Sequence, residues 1–283
     1  MSTFTGSDGA HLYYEDRNPE SGPPIVALAG GPTLHPRYLG DLAGLGRDRR
    51  LIVPHPRGVG ESPLPADTER ASFWHQAEDL EHLRVALGLD RLLLLGHSAG
   101  TRLAISYAAR YPERVAGLIL VGPPAGYLVD VPSDAKDLLD RRRQTPELEA
   151  AVAAWGAGPE TEDDPGFNAW QQRIAPIGYA SWGERERAHA ADGWYSFAAY
   201  WPFFSVDPPA DLAARLDAVT APVLVVSGAV DCSVGVAPAL AVAELFPAGE
   251  STVIPDSGHF PWVEQPAAFR RAVDGFLDRL PLA

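Results

Sequence analysis

Three residues in a fixed order along the chain could together carry nucleophilic chemistry: Ser98, Asp231 and His259. Ser98 sits in Gly96-His97-Ser98-Ala99-Gly100, after the apolar run Leu92-Leu93-Leu94-Leu95 and before Thr101-Arg102-Leu103-Ala104-Ile105-Ser106-Tyr107-Ala108, which has helical periodicity. A G-x-S-x-G between a strand and a helix makes a turn so tight that the serine's neighbours must be small, and it exposes the hydroxyl at its tip. That hydroxyl is a weak nucleophile at neutral pH. It needs a general base and a third group to orient the base.

In an open parallel sheet the active groups gather beyond the carboxyl ends of the strands, which narrows the choice among the eight histidines. His259 directly follows a strand, in Pro255-Asp256-Ser257-Gly258-His259-Phe260-Pro261, and precedes the last helix. His11 falls in an N-terminal hairpin, His75 and His82 on a helix face, and His189 in a later helical segment. His35 and His55 stand at strand ends that precede the serine and could line a pocket. His97 is expected to point away from Ser98. Asp231 follows a strand in Val226-Ser227-Gly228-Ala229-Val230-Asp231, whereas the end of the preceding strand holds Gly122-Pro123-Pro124 and no carboxylate. Asp256 reads as a turn residue. The order Ser98, Asp231, His259 is the one expected when a serine sits on such an elbow. Ser98 attacks, His259 takes and returns the proton, and Asp231 fixes the imidazole tautomer. A tetrahedral oxyanion also needs preorganised N–H donors. The amides of Ala99 and of Gly31, in the turn Gly30-Gly31-Pro32, are the candidates.

Strands and helices must position these groups. Residues 1–20 read as a hairpin about Ser7-Asp8-Gly9, and Pro24-Ile25-Val26-Ala27-Leu28-Ala29 as a buried strand. A helical stretch is expected near Tyr38 to Leu45, then a strand at Arg50-Leu51-Ile52-Val53-Pro54 and an amphipathic helix over 68–87. Val115-Ala116-Gly117-Leu118-Ile119-Leu120-Val121 is another strand. This regular alternation signals βαβ units and a parallel sheet. At about residue 127 the composition changes: residues 127–215 are helix-prone, irregular and rich in aromatics, and read as an inserted cap. The pattern resumes with a strand at Pro222-Val223-Leu224-Val225-Val226, a helix over 236–246, a strand at Ser251-Thr252-Val253-Ile254 and a helix over 264–280. The expected organisation is therefore a core in two parts, 1–126 and 216–283, interrupted by the cap.

A chain of 283 residues with an apolar fraction of 46% can bury a substantial core. Its net charge of −14 argues against nucleic acid as a partner. The single cysteine, Cys232, allows no internal disulfide and fits a reducing compartment. With no signal-peptide pattern at the start and no apolar run of membrane-spanning length, a cytoplasmic protein with no membrane partner is expected. No metal-ligand spacing and no phosphate or dinucleotide loop is present, so no cofactor or metal is expected. The sequence carries no sign of oligomeric state.

With Gly30-Gly31-Pro32, Arg57-Gly58-Val59-Gly60-Glu61-Ser62, the elbow, Asp231 and His259 in this order, the chain resembles the α/β-hydrolase superfamily over essentially its whole length. Within it, Gly30-Gly31-Pro32 and Gly258-His259-Phe260-Pro261-Trp262 are similar to the proline iminopeptidase-like branch. That resemblance implies an α/β fold: a mostly parallel eight-stranded sheet flanked by helices, with a lid after the sixth strand. The chain departs from the branch where Ala29 precedes and Thr33 follows the glycine turn, at His55-Pro56-Arg57-Gly58, and at Ala99, where the branch carries a tryptophan.

The activity expected is that of a serine hydrolase acting through an acyl-enzyme on a small ester, lactone or amide. The aromatic cap points to an apolar or aromatic substrate group, although most of those rings are expected simply to pack the cap. Gly30, Trp194, Tyr195 and Trp201 are the candidate substrate-binding residues. The alternative is a proline iminopeptidase, which needs a negative pocket for a free amine; Glu184, Glu186 and Glu160 are the candidates for it. Non-hydrolytic lyase, cyclase or perhydrolase chemistry on the same scaffold is a further alternative.

Overall fold

The computed structural model describes residues 2–142 and 145–280; residues 1, 143–144 and 281–283, which fall within the expected core and cap segments, lie outside the description. Eight strands form one sheet in the order β1-β2-β4-β3-β5-β6-β7-β8. They are β1 Ser2–Thr5, β2 His11–Arg17, β3 Ile25–Leu28, β4 Leu51–Pro54, β5 Leu92–His97, β6 Val115–Val121, β7 Val223–Gly228 and β8 Gly249–Ile254. β1 and β2 run antiparallel to their neighbours, and every pairing from β4 through β8 is parallel.

The central strands are apolar on both sides because helices cover both faces. Along β3, Val26 and Leu28 belong to one core while Ile25 and Ala27 belong to the other, as the two-residue period of a strand requires. The first face is covered by α2 Phe73–Ala86 and α3 Ala99–Arg110, through Leu80, Leu83, Leu103 and Tyr107. On the second lies α12 Pro266–Leu277, through Phe269, Val273 and Phe276. β8 is an edge strand with mostly exposed side chains, which is why its first two residues, Gly249 and Glu250, carry no apolar signal.

Three expected helices are interrupted, each for a local reason. Between Tyr38 and Leu45, Leu42, Ala43 and Gly44 all take positive φ, so the chain makes a single turn at Pro36–Leu39 and another, α1, at Leu45–Asp48. Within 68–87, Ser72 leaves the helical conformation and its side chain accepts from the His75 amide at 3.3 Å. A short turn, Thr68–Ala71, therefore precedes α2. Pro266 restricts Gln265, dividing the last segment into α11 Pro261–Glu264 and α12. The segment over 236–246 comprises α10 Ala237–Ala241 and a tighter turn at Val242–Leu245.

Between β6 and β7 the chain leaves the sheet and forms α4 Ala135–Arg141, α5 Pro146–Ala157, α6 Asp164–Ile174, α7 Glu184–Ala191, α8 Phe197–Phe203 and α9 Leu212–Arg215. An antiparallel bridge, Leu34 to Tyr195, links this segment to the loop after β3. Around it His35 N–H donates to the Trp194 carbonyl at 2.8 Å and Ser196 N–H to the Thr33 carbonyl at 3.1 Å.

The Arg57-Gly58-Val59-Gly60 stretch is structural. Arg57 is buried, with its guanidinium between Asp79 (Nε to Oδ2, 2.6 Å) and Asp8 (Nη1 to Oδ2, 2.8 Å), so it ties the β1–β2 turn to α2. The Arg57 contact holds the Asp8 carboxyl at about 2, and the neighbouring His55, with Nε2 3.5 Å from Oε1, together with Arg17 holds Glu15 at about 2. Carboxylates depressed in the folded state stabilise it above their unfolded values and lose that contribution as pH falls towards the folded values. Thermal melts between pH 5 and pH 2 should therefore show steadily falling stability. Asp8→Asn, measured the same way, should be less stable at pH 6 and flatter across that window.

Candidate active site

The groups singled out in the sequence come together beyond the carboxyl ends of the parallel strands. Ser98 follows β5 with φ 50°, a conformation that costs a side-chain-bearing residue energy. Its N–H donates to the Val121 carbonyl at 2.8 Å, and α3 begins at the next residue. The turn closes only because its flanks are small. A Cβ on Gly100 would lie 2.3 Å from the Leu28 carbonyl oxygen, and one on Gly96 would lie 2.9 Å from the Gly100 backbone.

His259 and Asp231 form a buried pair, with Nδ1 2.7 Å from Oδ2. The other carboxylate oxygen, Oδ1, accepts from the amides of Ser233 at 2.9 Å and Val234 at 3.2 Å. The carboxylate is thus fixed at both ends. Two glycines make the pair possible. At Gly228 a Cβ would lie 2.0 Å from the Gly258 carbonyl oxygen, so only glycine lets the loops after β7 and β8 approach. At Gly122, φ +54°, a Cβ would lie 3.0 Å from His259 Nδ1. The end of β6 holds no acid and leaves room for the imidazole. Ser98 and His259 border one cavity, with no hydrogen bond between them in this structure. Free enzymes often hold that contact long until substrate binds.

Gly31, at φ +61°, borders the same cavity. Among the described residues the Gly31 and Ala99 amides donate to no protein group.

The cavity encloses about 230 Å³ between the strand ends and the segment that follows β6. Among its described lining residues there is no Asp, Glu, Lys or Arg. The wall contains Trp155, Ile174, Tyr179, Tyr195, Tyr200 and Phe260. His189 is held neutral by burial, with Tyr179 Oη 2.7 Å from its Nδ1 and the Tyr38 carbonyl 2.9 Å from its Nε2.

Residues 23–154 match the sequence profile of the alpha/beta hydrolase fold family. A curated relative from Bacillus subtilis (strain 168), provisionally named a 2-succinyl-6-hydroxy-2,4-cyclohexadiene-1-carboxylate synthase, is 28% identical over 97% of each chain. A proline iminopeptidase from Heyndrickxia coagulans is 26% identical over 92% of each chain. Among solved structures, a thermophilic esterase from Thermogutta terrifontis superposes with a TM-score of 0.72 at 25% identity, over 98% of each chain.

The chain has the α/β-hydrolase fold.

Not every candidate read from the sequence faces the cavity. Of Trp194 and Tyr195, only Tyr195 lines it; the segment is extended, so neighbours point to opposite sides, and Trp194 stacks on His35 at 4.0 Å between centroids. Trp201 is 66% exposed, while Tyr200, about 100° away on the same helix, lines the cavity. Gly30 does not border the cavity; its N–H donates to Tyr38 Oη at 2.8 Å. His35 and His55 lie outside it too, 5.0 Å apart between ring centroids.

The acidic candidates for an amine site are equally remote. Glu186 accepts from the Gly183 amide at 2.8 Å and pairs with Arg185, Glu160 pairs with Arg173 at 2.6 Å, and Glu184 is exposed.

Sequence reasoning passed over Glu264, whose buried carboxylate accepts from Gly258 N–H at 2.7 Å and Ala180 N–H at 2.6 Å. It ties the His259 loop to the segment after β6. Its position five residues beyond His259 was the available signal. Among the described residues no group of three metal-ligating side chains converges, and no helix is long and apolar enough to cross a membrane.

Proposed function

We propose that this α/β hydrolase is a serine hydrolase that cleaves small uncharged esters or lactones. Ser98 is the nucleophile, His259 the base and Asp231 its orienting acid. The Gly31 and Ala99 amides form the oxyanion hole, and residues 127–215 act as the cap. In the first half-reaction Ser98 Oγ bonds to the acyl carbon and its proton passes to His259 Nε2. The oxyanion then collapses, the C–O bond to the leaving group breaks, and the departing oxygen takes the proton from Nε2. In the second, His259 deprotonates a water that attacks the acyl-serine, and Ser98 leaves with the proton. Asp231 stabilises the imidazolium in both. Esterase activity in a structural relative supports this assignment.

The observation that carries the substrate class is that the described residues of the cavity wall include no Asp, Glu, Lys or Arg. Among them a free α-amine would meet no carboxylate. A substrate carboxylate would meet no Lys or Arg among them. Leaving either charge unpaired in an apolar site costs several kcal/mol. This weighs against the iminopeptidase reading, despite the sequence relative of that name, and against a carboxylate substrate like that in the name of the Bacillus relative. The exposed Trp155, which also lines the cavity, offers an apolar edge at which a substrate can enter.

The test is kcat/KM on three substrates: a short aryl ester, the same ester bearing a carboxylate on its acyl chain, and a prolyl arylamide. The neutral ester should be preferred over either charged substrate by about 100-fold or more, since several kcal/mol separate them. Preference for the prolyl amide would overturn the substrate class.

A further inference from the structure

His97 stands directly before Ser98 on β5 and is buried. Its Nδ1 lies 2.7 Å from Tyr38 Oη and its Nε2 lies 2.9 Å from the carbonyl oxygen of His259. The neighbours fix the protons. Gly30 N–H already donates to Tyr38 Oη at 2.8 Å, so the Tyr38 hydroxyl proton is directed at His97 Nδ1. A carbonyl oxygen can only accept, so the ring proton sits on Nε2. Burial and the nearby His259 keep His97 neutral. The result is one unbroken chain: Gly30 N–H to Tyr38 O–H to His97, and His97 N–H to the His259 backbone. Phe260 and Trp262 pack against the imidazole, with centroids at 5.2 and 4.7 Å.

We propose that His97 is a positioning residue that holds the Gly30-Gly31 loop and the His259 loop in register on either side of Ser98. The inference rests on the serine-hydrolase reading above. Both loops lie beyond the ends of their strands, where the ladder no longer fixes them. His97 lies between them on the rigid central strand and uses each ring nitrogen for one loop. The oxyanion donors and the base must serve different oxygens of the same tetrahedral intermediate, and a displacement of about 1 Å between such groups can cost about 100-fold in rate.

The test compares Tyr38→Phe, His97→Ala and the double variant with wild type on a short aryl ester, with Ser98→Ala as the blank. Thermal melts select a temperature at which each variant is folded. Both single variants should lower kcat about 10- to 100-fold with KM changed less than about threefold, because misplaced donors weaken the transition state and not the ground state. Affinity for an aryl trifluoromethyl ketone, which forms a tetrahedral adduct, should fall in step with kcat. The double variant should be no worse than His97→Ala, since both remove one chain. A kcat within about threefold of wild type in the folded variants, or equal losses in ketone affinity and 1/KM, would overturn the proposal. If His97→Ala does not fold, Tyr38→Phe decides.

Amide hydrogen exchange separates this proposal from the reading beneath it. Peptides covering 29–32 and 256–260 should both exchange faster in His97→Ala whatever the reaction, and unchanged exchange in both would overturn the register role. Undiminished ester turnover by Ser98→Ala would instead sink the serine-hydrolase assignment.

Discussion

Ser98→Ala is expected to lower kcat on an aryl ester by about 10⁴- to 10⁶-fold, leaving only the residual rate that binding and the oxyanion donors supply. The protein should fold as before. The Ser98 backbone is held at φ 50° by its surroundings, and alanine carries the same Cβ and the same strain. The residue's structural bonds come from its backbone, through its N–H to Val121 and its carbonyl to Thr101 Oγ1 at 2.6 Å. A circular dichroism melt should therefore overlay that of the wild type. Ser98→Gly should be equally inactive but more stable by up to about 1 kcal/mol, because glycine adopts positive φ without the steric penalty. A loss of activity accompanied by a large fall in melting temperature would place the role of Ser98 in the fold.

Asp231→Asn should cost about 10⁴-fold in kcat, for a reason visible in its hydrogen bonds. Oδ1 of Asp231 accepts from two backbone amides, Ser233 and Val234, and Oδ2 accepts from His259 Nδ1. An asparagine in that place must keep its oxygen on the two amide donors, which turns its NH2 towards His259. The NH2 can only donate, so His259 Nδ1 must become an acceptor and its proton must move to Nε2. The nitrogen facing the nucleophile then has no lone pair to receive the serine proton. The variant keeps the shape of the site and loses the base. Steady-state kinetics on the ester, with a melt to show the fold intact, would check this. A loss of less than about tenfold would mean that Asp231 does not set the tautomer.

The parallel core was legible because buried strands such as Leu92–Leu95 and Val115–Val121 are apolar on both faces, and because each ends where glycine or a polar loop begins. The proposed site residues Ser98, Asp231 and His259 stood out for the same reason: each is the chemically capable residue just past a strand end. What escaped was set by side-chain direction. Trp194 and Trp201 belong to aromatic runs, and composition does not say which ring of a pair turns inwards; extended and helical periods select Tyr195 and Tyr200. His97 looked idle because strand alternation aims it away from its neighbour Ser98, yet its ring bonds to Tyr38 and to the His259 backbone. Helix interruptions at Leu42-Ala43-Gly44 and Gln265 depended on backbone conformations that apolar spacing does not register.

The proposed covalent acylation of Ser98, with His259 as its base, can be probed by active-site labelling. The protein is treated with an alkyl fluorophosphonate, digested and mapped by mass spectrometry, alongside Ser98→Ala and Asp231→Asn. One phosphonyl group per chain is expected on the peptide containing Ser98, none on Ser98→Ala, and labelling of Asp231→Asn slowed in proportion to its kcat. An unlabelled wild-type protein, or a label on another serine that persists in Ser98→Ala, would contradict it.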